Sequence, residues 1–124
     1  MTTTTTSTKA IHEAKIAALS ASTYEDGTYD LDTMTTVEFE AGYQVSFCQI
    51  GDDYTDDDYE FLVAMFKEVS DGTVYAGKFE CTPEISFHFT SKALAIAYAK
   101  KFNQISIWDW SKGDQILTGG TGTR

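Results

Sequence analysis

Tyr43-Gln44-Val45-Ser46-Phe47-Cys48-Gln49-Ile50 decides the fold. Tyr43, Val45, Phe47 and Gln49 fall on one side, and Gln44, Ser46, Cys48 and Ile50 on the other. That period of two is a strand signature, and it predicts a central strand. Gly51-Asp52-Asp53-Tyr54 reads as a loop. Thr55 then reads as an N-cap with Asp56, Asp57 and Asp58 in the first turn, where the helix dipole favours carboxylates. Tyr59, Leu62, Val63, Phe66 and Val69 follow at helical spacing and predict a helix over 55–69.

Downstream, Asp71-Gly72 stops that helix, and 73–81 and 84–89 read as strands with Thr82-Pro83 as the turn. Ile85, Phe87 and Phe89 line one face of the second; Ser86 and His88 line the other. Thr90 or Ser91 caps a second helix with Leu94, Ala97, Tyr98 and Phe102 on one side, and Asn103 reads as its C-terminal cap. Gln104–Trp108 alternates again, Ser111-Lys112-Gly113-Asp114 is turn chemistry, and Gln115-Ile116-Leu117 is a return strand.

Upstream, Asp26-Gly27 reads as a turn between short strands, Val37–Phe39 as the opening of another strand, and 9–22 as a weakly amphipathic helical stretch. Residues 1–8 are nearly all threonine and serine and are expected to be disordered, leaving 9–124 as one domain. The expected fold is α+β: an antiparallel sheet of about six strands with two helices, ordered β-β-α-β-β-α-β-β. Two helices cover one face. Tyr43, Phe47 and Phe87 are then left to be buried on the other, which predicts a homo-oligomer, dimer or higher.

Charge is placed unevenly. The net charge is −10, and residues 25–60 hold twelve acids with no lysine or arginine. That balance argues against DNA or RNA as partner, since such binding neutralises phosphates with basic residues. No apolar run is long enough to span a membrane. The amino terminus lacks the basic and apolar blocks of a secretory signal, so Cys48 and Cys81 are expected to be reduced thiols in a cytoplasmic protein.

Metal and catalytic readings find little support. An EF-hand started at Asp53 would place Asp58 at the glycine position and Ala64 at the final glutamate. His12 and His88 have no zinc spacing with each other or with a cysteine. Cys48, His88 and Asn103 occur in the order of a thiol-hydrolase triad, but core thiol, strand histidine and helix cap each account for one of them. Hence no metal, no cofactor and no enzyme activity are expected.

The carboxyl-terminal stretch Asn103–Arg124 carries the binding signal. It contains Trp108, Trp110, the amide pair Asn103 and Gln104, the run Thr118-Gly119-Gly120-Thr121-Gly122, and Arg124, the sole arginine. Backbone N–H groups of successive glycines can converge on an anion, aromatic faces stack on bases, and amides read base edges. The pattern suggests a nucleotide-sized anionic ligand. A final hairpin with a frayed end and core-facing tryptophans explain the same residues.

Gly42-Tyr43-Gln44-Val45-Ser46-Phe47, Pro83-Glu84-Ile85-Ser86-Phe87 and Asn103-Gln104-Ile105-Ser106-Ile107-Trp108-Asp109 resemble the type-one Thoeris anti-defence proteins of bacteriophages, over roughly residues 24–118. The resemblance implies a non-enzymatic sponge in the cytoplasm of an infected bacterium. Such a protein sequesters a cyclic ADP-ribose isomer; some members also bind cyclic oligonucleotides, and they assemble as dimers or higher oligomers. An aromatic and an asparagine hold the signal in that family, which points here to Phe87 or Phe89 and to Asn103. Basic groups meet its phosphates, which points to Arg124 and to lysines such as Lys101. The full expected ligand set is Phe87, Phe89, Lys101, Asn103, Gln104, Trp108, Thr118, Gly119, Gly120 and Arg124. The rival expectation is an acidic inhibitor that mimics nucleic acid or masks a basic host protein, resting on the acids of 25–60.

Overall fold

A computed structural model describes residues 7–21, 27–49, 54–79 and 82–121. Among these lie helices α1 (Thr8–Ala21), α2 (Asp56–Val69) and α3 (Lys92–Lys101). The strands are β1 (Gly27–Asp30), β2 (Thr35–Val37), β3 (Tyr43–Gln49), β4 (Tyr75–Phe79), β5 (Thr82–Phe89), β6 (Ser106–Asp109) and β7 (Asp114–Leu117). They form one antiparallel sheet in the order β2-β1-β4-β5-β3-β6-β7. The α+β class holds, with a third helix and a seventh strand beyond the expected order.

The central strand stands where its alternation placed it, between β5 and β6. It carries one irregularity between Ser46 and Cys48, where Phe47 is the extra residue against β5. Such a bulge bends the strand locally, and Phe47 is fully buried here. In α2 the Thr55 hydroxyl accepts from the Asp58 N–H at 3.1 Å, and Tyr59, Val63 and Phe66 are buried. Ser91 caps α3 in the same way, accepting from the Leu94 N–H at 3.2 Å.

Three expectations change. Thr82 and Pro83 belong to β5, in register with Phe79 and Lys78, so the turn is not built from them. Leu94 and Ala97 of α3 point outward, and its buried residues are Ala95 and Ala99. Small side chains on that face let the helix lie close to β3 and β6, which a search for bulky periodic residues misses. Of the stretch 9–22, residues 9–21 lie in helix α1, with His12, Ile16 and Leu19 buried on one side. The amino-terminal residues 1–6 and the expected turn residue Asp26 lie outside the described residues.

Lys9 Nζ donates to the Tyr54 carbonyl and Lys15 Nζ to the Leu31 carbonyl, each at 2.8 Å, so α1 is tied to two connecting segments. His12 Nδ1 lies 2.7 Å from the Tyr59 hydroxyl, linking α1 to α2. Burial, with the charges of Lys15 and Lys67, lowers the His12 imidazole from 6.5 to about 4. The folded state therefore prefers the neutral ring. The stability this gives is complete above about pH 6.5 and is lost as pH falls toward about 4. His12→Gln keeps a hydrogen-bonding group without titrating. Urea unfolding near neutrality and near pH 4 is expected to show a smaller acid loss in the variant than in the parent, by about 2 kcal/mol.

The core lies between the sheet and the helices. Val45, Phe47, Ile85, Phe87 and Phe89 from β3 and β5 meet Phe66 of α2 and Ala95 and Ala99 of α3. Phe66 stacks on Phe87 at 4.9 Å and on Phe47 at 5.1 Å. This corrects the expectation that Tyr43, Phe47 and Phe87 line an uncovered face. Val45 pairs with Phe87 and Tyr43 with Phe89, so all of these sit under the helices.

Candidate functional site

The same register sets the opposite face, to which none of the described helices contributes a core contact. Tyr75 of β4 pairs with Ser86 of β5; Gln44 of β3 pairs with both His88 of β5 and Trp108 of β6. Cross-strand partners share a side, and Ser86 and His88 are two apart on β5, so these five residues share one face in two adjacent rows. Trp110, just beyond β6, joins them.

Polar contacts link these residues in two groups. Gln44 Nε2 donates to Ser86 Oγ at 2.9 Å, and Trp110 Nε1 donates to Gln44 Oε1 at 3.1 Å. His88 Nε2 is 2.9 Å from the Ala41 carbonyl oxygen. A carbonyl only accepts, so Nε2 carries the proton in that bond. The other nitrogen, Nδ1, lies 3.8 Å from Asp71 Oδ2, which also accepts from the Tyr75 hydroxyl at 2.6 Å. Burial and then that hydrogen bond to Asp71 raise the Tyr75 phenol above its usual range. Ser86, His88 and Gln44 are buried, whereas Trp108 is 36% exposed.

Residues 38–42, which join β2 to β3, lie over part of this face. Phe39 stacks on the His88 ring with centroids 3.8 Å apart and planes 17° from parallel. Its ring also meets Tyr75 edge-on at 5.6 Å and Trp110 at 5.4 Å. Trp108 and Trp110 are edge-to-face at 6.4 Å. The face thus combines flat rings with amide, hydroxyl and carboxylate groups, the amide of Gln44 and the hydroxyls of Ser86 and Tyr75 being carried by strands.

The expected ligand residues divide into separate groups. Phe87 and Phe89 are in the core, both with no exposure, on the side of the sheet opposite Trp108. Lys101 is exposed at the end of α3. Arg124 lies outside the described residues. Asn103, Gln104, Thr118, Gly119 and Gly120 do come together, but as a clasp. Asn103 takes a φ of 55°, as its cap reading requires, and its amide holds Thr121: Nδ2 donates to Oγ1 at 2.7 Å, and Oδ1 accepts the N–H at 3.0 Å. Thr118 is buried; its hydroxyl donates to the Gln104 carbonyl and its N–H to the Ile105 carbonyl. A Cβ on Gly120 would lie 2.2 Å from the Gln104 carbonyl oxygen, so this approach is open only to glycine. The side chains of Asn103 and Thr118 and the N–H groups of Thr118 and Thr121 are thus engaged in folding the tail against the turn after α3.

The burial of Thr118 and the hydrogen bonds of Thr118 and Thr121 count toward stability, so the clasp holds the tail to the fold. Asn103→Gly keeps the backbone conformation and deletes both bonds to Thr121. The gain and loss are each about 1 kcal/mol and nearly offset, so the melting temperature should shift by less than about 3 °C. Amide exchange at Thr121 is expected to speed by about tenfold as the local closure is lost. Unchanged exchange there would contradict the clasp.

Elsewhere, Asp109 Oδ1 accepts from the Ser111 hydroxyl at 2.8 Å and from the N–H groups of Ser111 and Lys112 at 3.0 and 3.3 Å. The Ser111 hydroxyl first, then those backbone groups and the Lys112 charge, hold its carboxyl below the usual range. It builds the β6–β7 turn. Among the described residues no group of three or more histidine, cysteine, aspartate or glutamate side chains is placed to hold a metal. No described helix is long and apolar enough to cross a membrane.

Phe39, Gln44, Tyr75 and His88 were missed as site residues. The available signal was parity: Ser86 and His88 alternate against Ile85, Phe87 and Phe89, so a polar face was legible on β5. Comparison with protein-family models, curated proteins and solved structures finds no match to this chain.

Proposed function

We propose that this chain is a non-catalytic binding protein that captures a cyclic ADP-ribose isomer on its helix-free sheet face and withholds it from an effector. The supporting observation is exposed Trp108 set edge-to-face against Trp110, whose indole N–H is held by the Gln44 amide. Each stacked base contributes about 1–3 kcal/mol where an aromatic platform receives it. A sheet that fixes its rings beforehand loses little freedom on binding. Lys112 in the adjoining turn offers a cation for a phosphate. The resemblance to Thoeris anti-defence proteins supplies the choice of signal, the phage-infected cytoplasm and the homo-oligomeric state.

The test is to purify the protein from cells making the signal, heat it, and analyse what is released by mass spectrometry. An intact nucleotide near one per chain supports the reading. Release of a cleaved product points to catalysis, and release of no nucleotide overturns the reading. An acidic mimic would instead retain a basic protein and leave the small-molecule pool unchanged.

A further inference from the structure

We infer that Phe39 is a removable occupant of a ring-binding slot, and that an aminopurine base takes its place. This rests on the helix-free face being the ligand platform, and it names the part of the ligand which that face reads.

The walls and the occupant come from different kinds of structure. His88 belongs to β5 and Tyr75 to β4, while Trp110 directly follows β6 and is tied to β3 through Gln44. Phe39 belongs to the link 38–42, outside any strand, and is only half-buried. The link is pinned at its far end: His88 Nε2 donates to the Ala41 carbonyl, and the Trp110 N–H donates to the Gly42 carbonyl at 3.0 Å. Phe39 precedes both pins. Its ring can leave by rotation of the segment between Val37 and Ala41 while both bonds remain.

The slot accepts a flat ring because it already holds one, nearly parallel to the imidazole. A polar group beside that imidazole, with Asp71 Oδ2 3.8 Å from His88 Nδ1, selects among rings. Asp71 presents a carboxylate, which only accepts hydrogen bonds; Oδ2 receives the Tyr75 hydroxyl and Oδ1 the Thr73 N–H at 2.9 Å, and each oxygen keeps a further lone pair. A base edge bearing an exocyclic amine can donate to it. A base edge bearing a carbonyl oxygen there would set two acceptors against each other. The slot therefore favours adenine over hypoxanthine, which has a carbonyl where adenine has its amine.

Phe39→Ala empties the slot, and Phe39→Leu leaves a smaller, non-planar occupant. Parent and variants are titrated calorimetrically with adenosine monophosphate, inosine monophosphate and a cyclic ADP-ribose isomer, after thermal unfolding has identified the folded variants. The expected result is adenosine monophosphate bound about tenfold more tightly by Phe39→Ala than by the parent, with Phe39→Leu between them, and inosine monophosphate about tenfold weaker than its adenosine counterpart. If Phe39→Ala does not fold, Phe39→Leu against the parent decides by the same ordering. Tight binding of the cyclic nucleotide by the parent, unchanged in folded variants, overturns the slot and leaves the proposed function standing. Binding of no nucleotide by any of the three proteins overturns both.

Discussion

Phe87→Ala is expected to lower stability by about 3–5 kcal/mol, the usual cost of emptying a phenylalanine site in a close-packed core. In a chain of this size that is a fall in melting temperature on the order of 10–20 °C. Phe87 has no exposure, stacks on Phe66 at 4.9 Å with planes 20° apart, and lies 5.8 Å from Phe47. The neighbours are held by β3 and α2 and cannot collapse into the space without breaking their own contacts. Resemblance had assigned Phe87 or Phe89 to the ligand, and that role predicts a different outcome: a protein that melts like the parent and binds weakly. Scanning calorimetry without ligand separates them. A shift below about 3 °C would remove Phe87 from its core role.

That reassignment shows what alternation can and cannot tell. The pattern of Tyr43–Ile50 predicts a strand and divides its residues into two sets. It did not say which set meets the helices, because parity is relative. The answer came from α2 and α3, whose buried residues close over Val45, Phe47 and Phe87. Local signals read well where the chemistry is local. Thr55 and Ser91 cap helices through bonds to residues three positions away, and Asn103 takes its positive φ next to the end of α3. The candidate site was legible only in part. Asn103, Gln104 and the glycine run flank one hairpin, so their proximity followed from sequence, but their engagement with one another did not. The bond from His88 to the Ala41 carbonyl spans 47 residues, and nothing local announces it. Helix α3 hid its inward face for a related reason: alanines mark close approach only once the partner strand is known.

Gly42→Ala is expected to cost about 2–5 kcal/mol and to disorganise the helix-free face, since it adds a backbone penalty of about 1–2 kcal/mol to an overpacking penalty of about 1–3 kcal/mol. Gly42 has φ +95°, a conformation that side chains disfavour, and its Cβ would stand 2.3 Å from His88 Nε2 and 2.9 Å from the Phe89 carbonyl oxygen. The imidazole cannot simply swing away, because Phe39 stacks on it and Nε2 donates to Ala41. The Phe89 carbonyl is main chain of β5. Relief must therefore come from moving the link 38–42, which carries Phe39 and is joined to Trp110 through the Gly42 carbonyl. Gly113 supplies the control: its φ is +62°, yet a Cβ there meets nothing within 4 Å. Gly113→Ala should show the backbone cost alone, about 1–2 kcal/mol. The difference between the two variants in urea unfolding isolates the contact with His88 and Phe89, and tryptophan emission should shift to the red in Gly42→Ala as Trp110 loses its packing. Equal costs would mean that His88 does not occupy the position on which the ring slot depends.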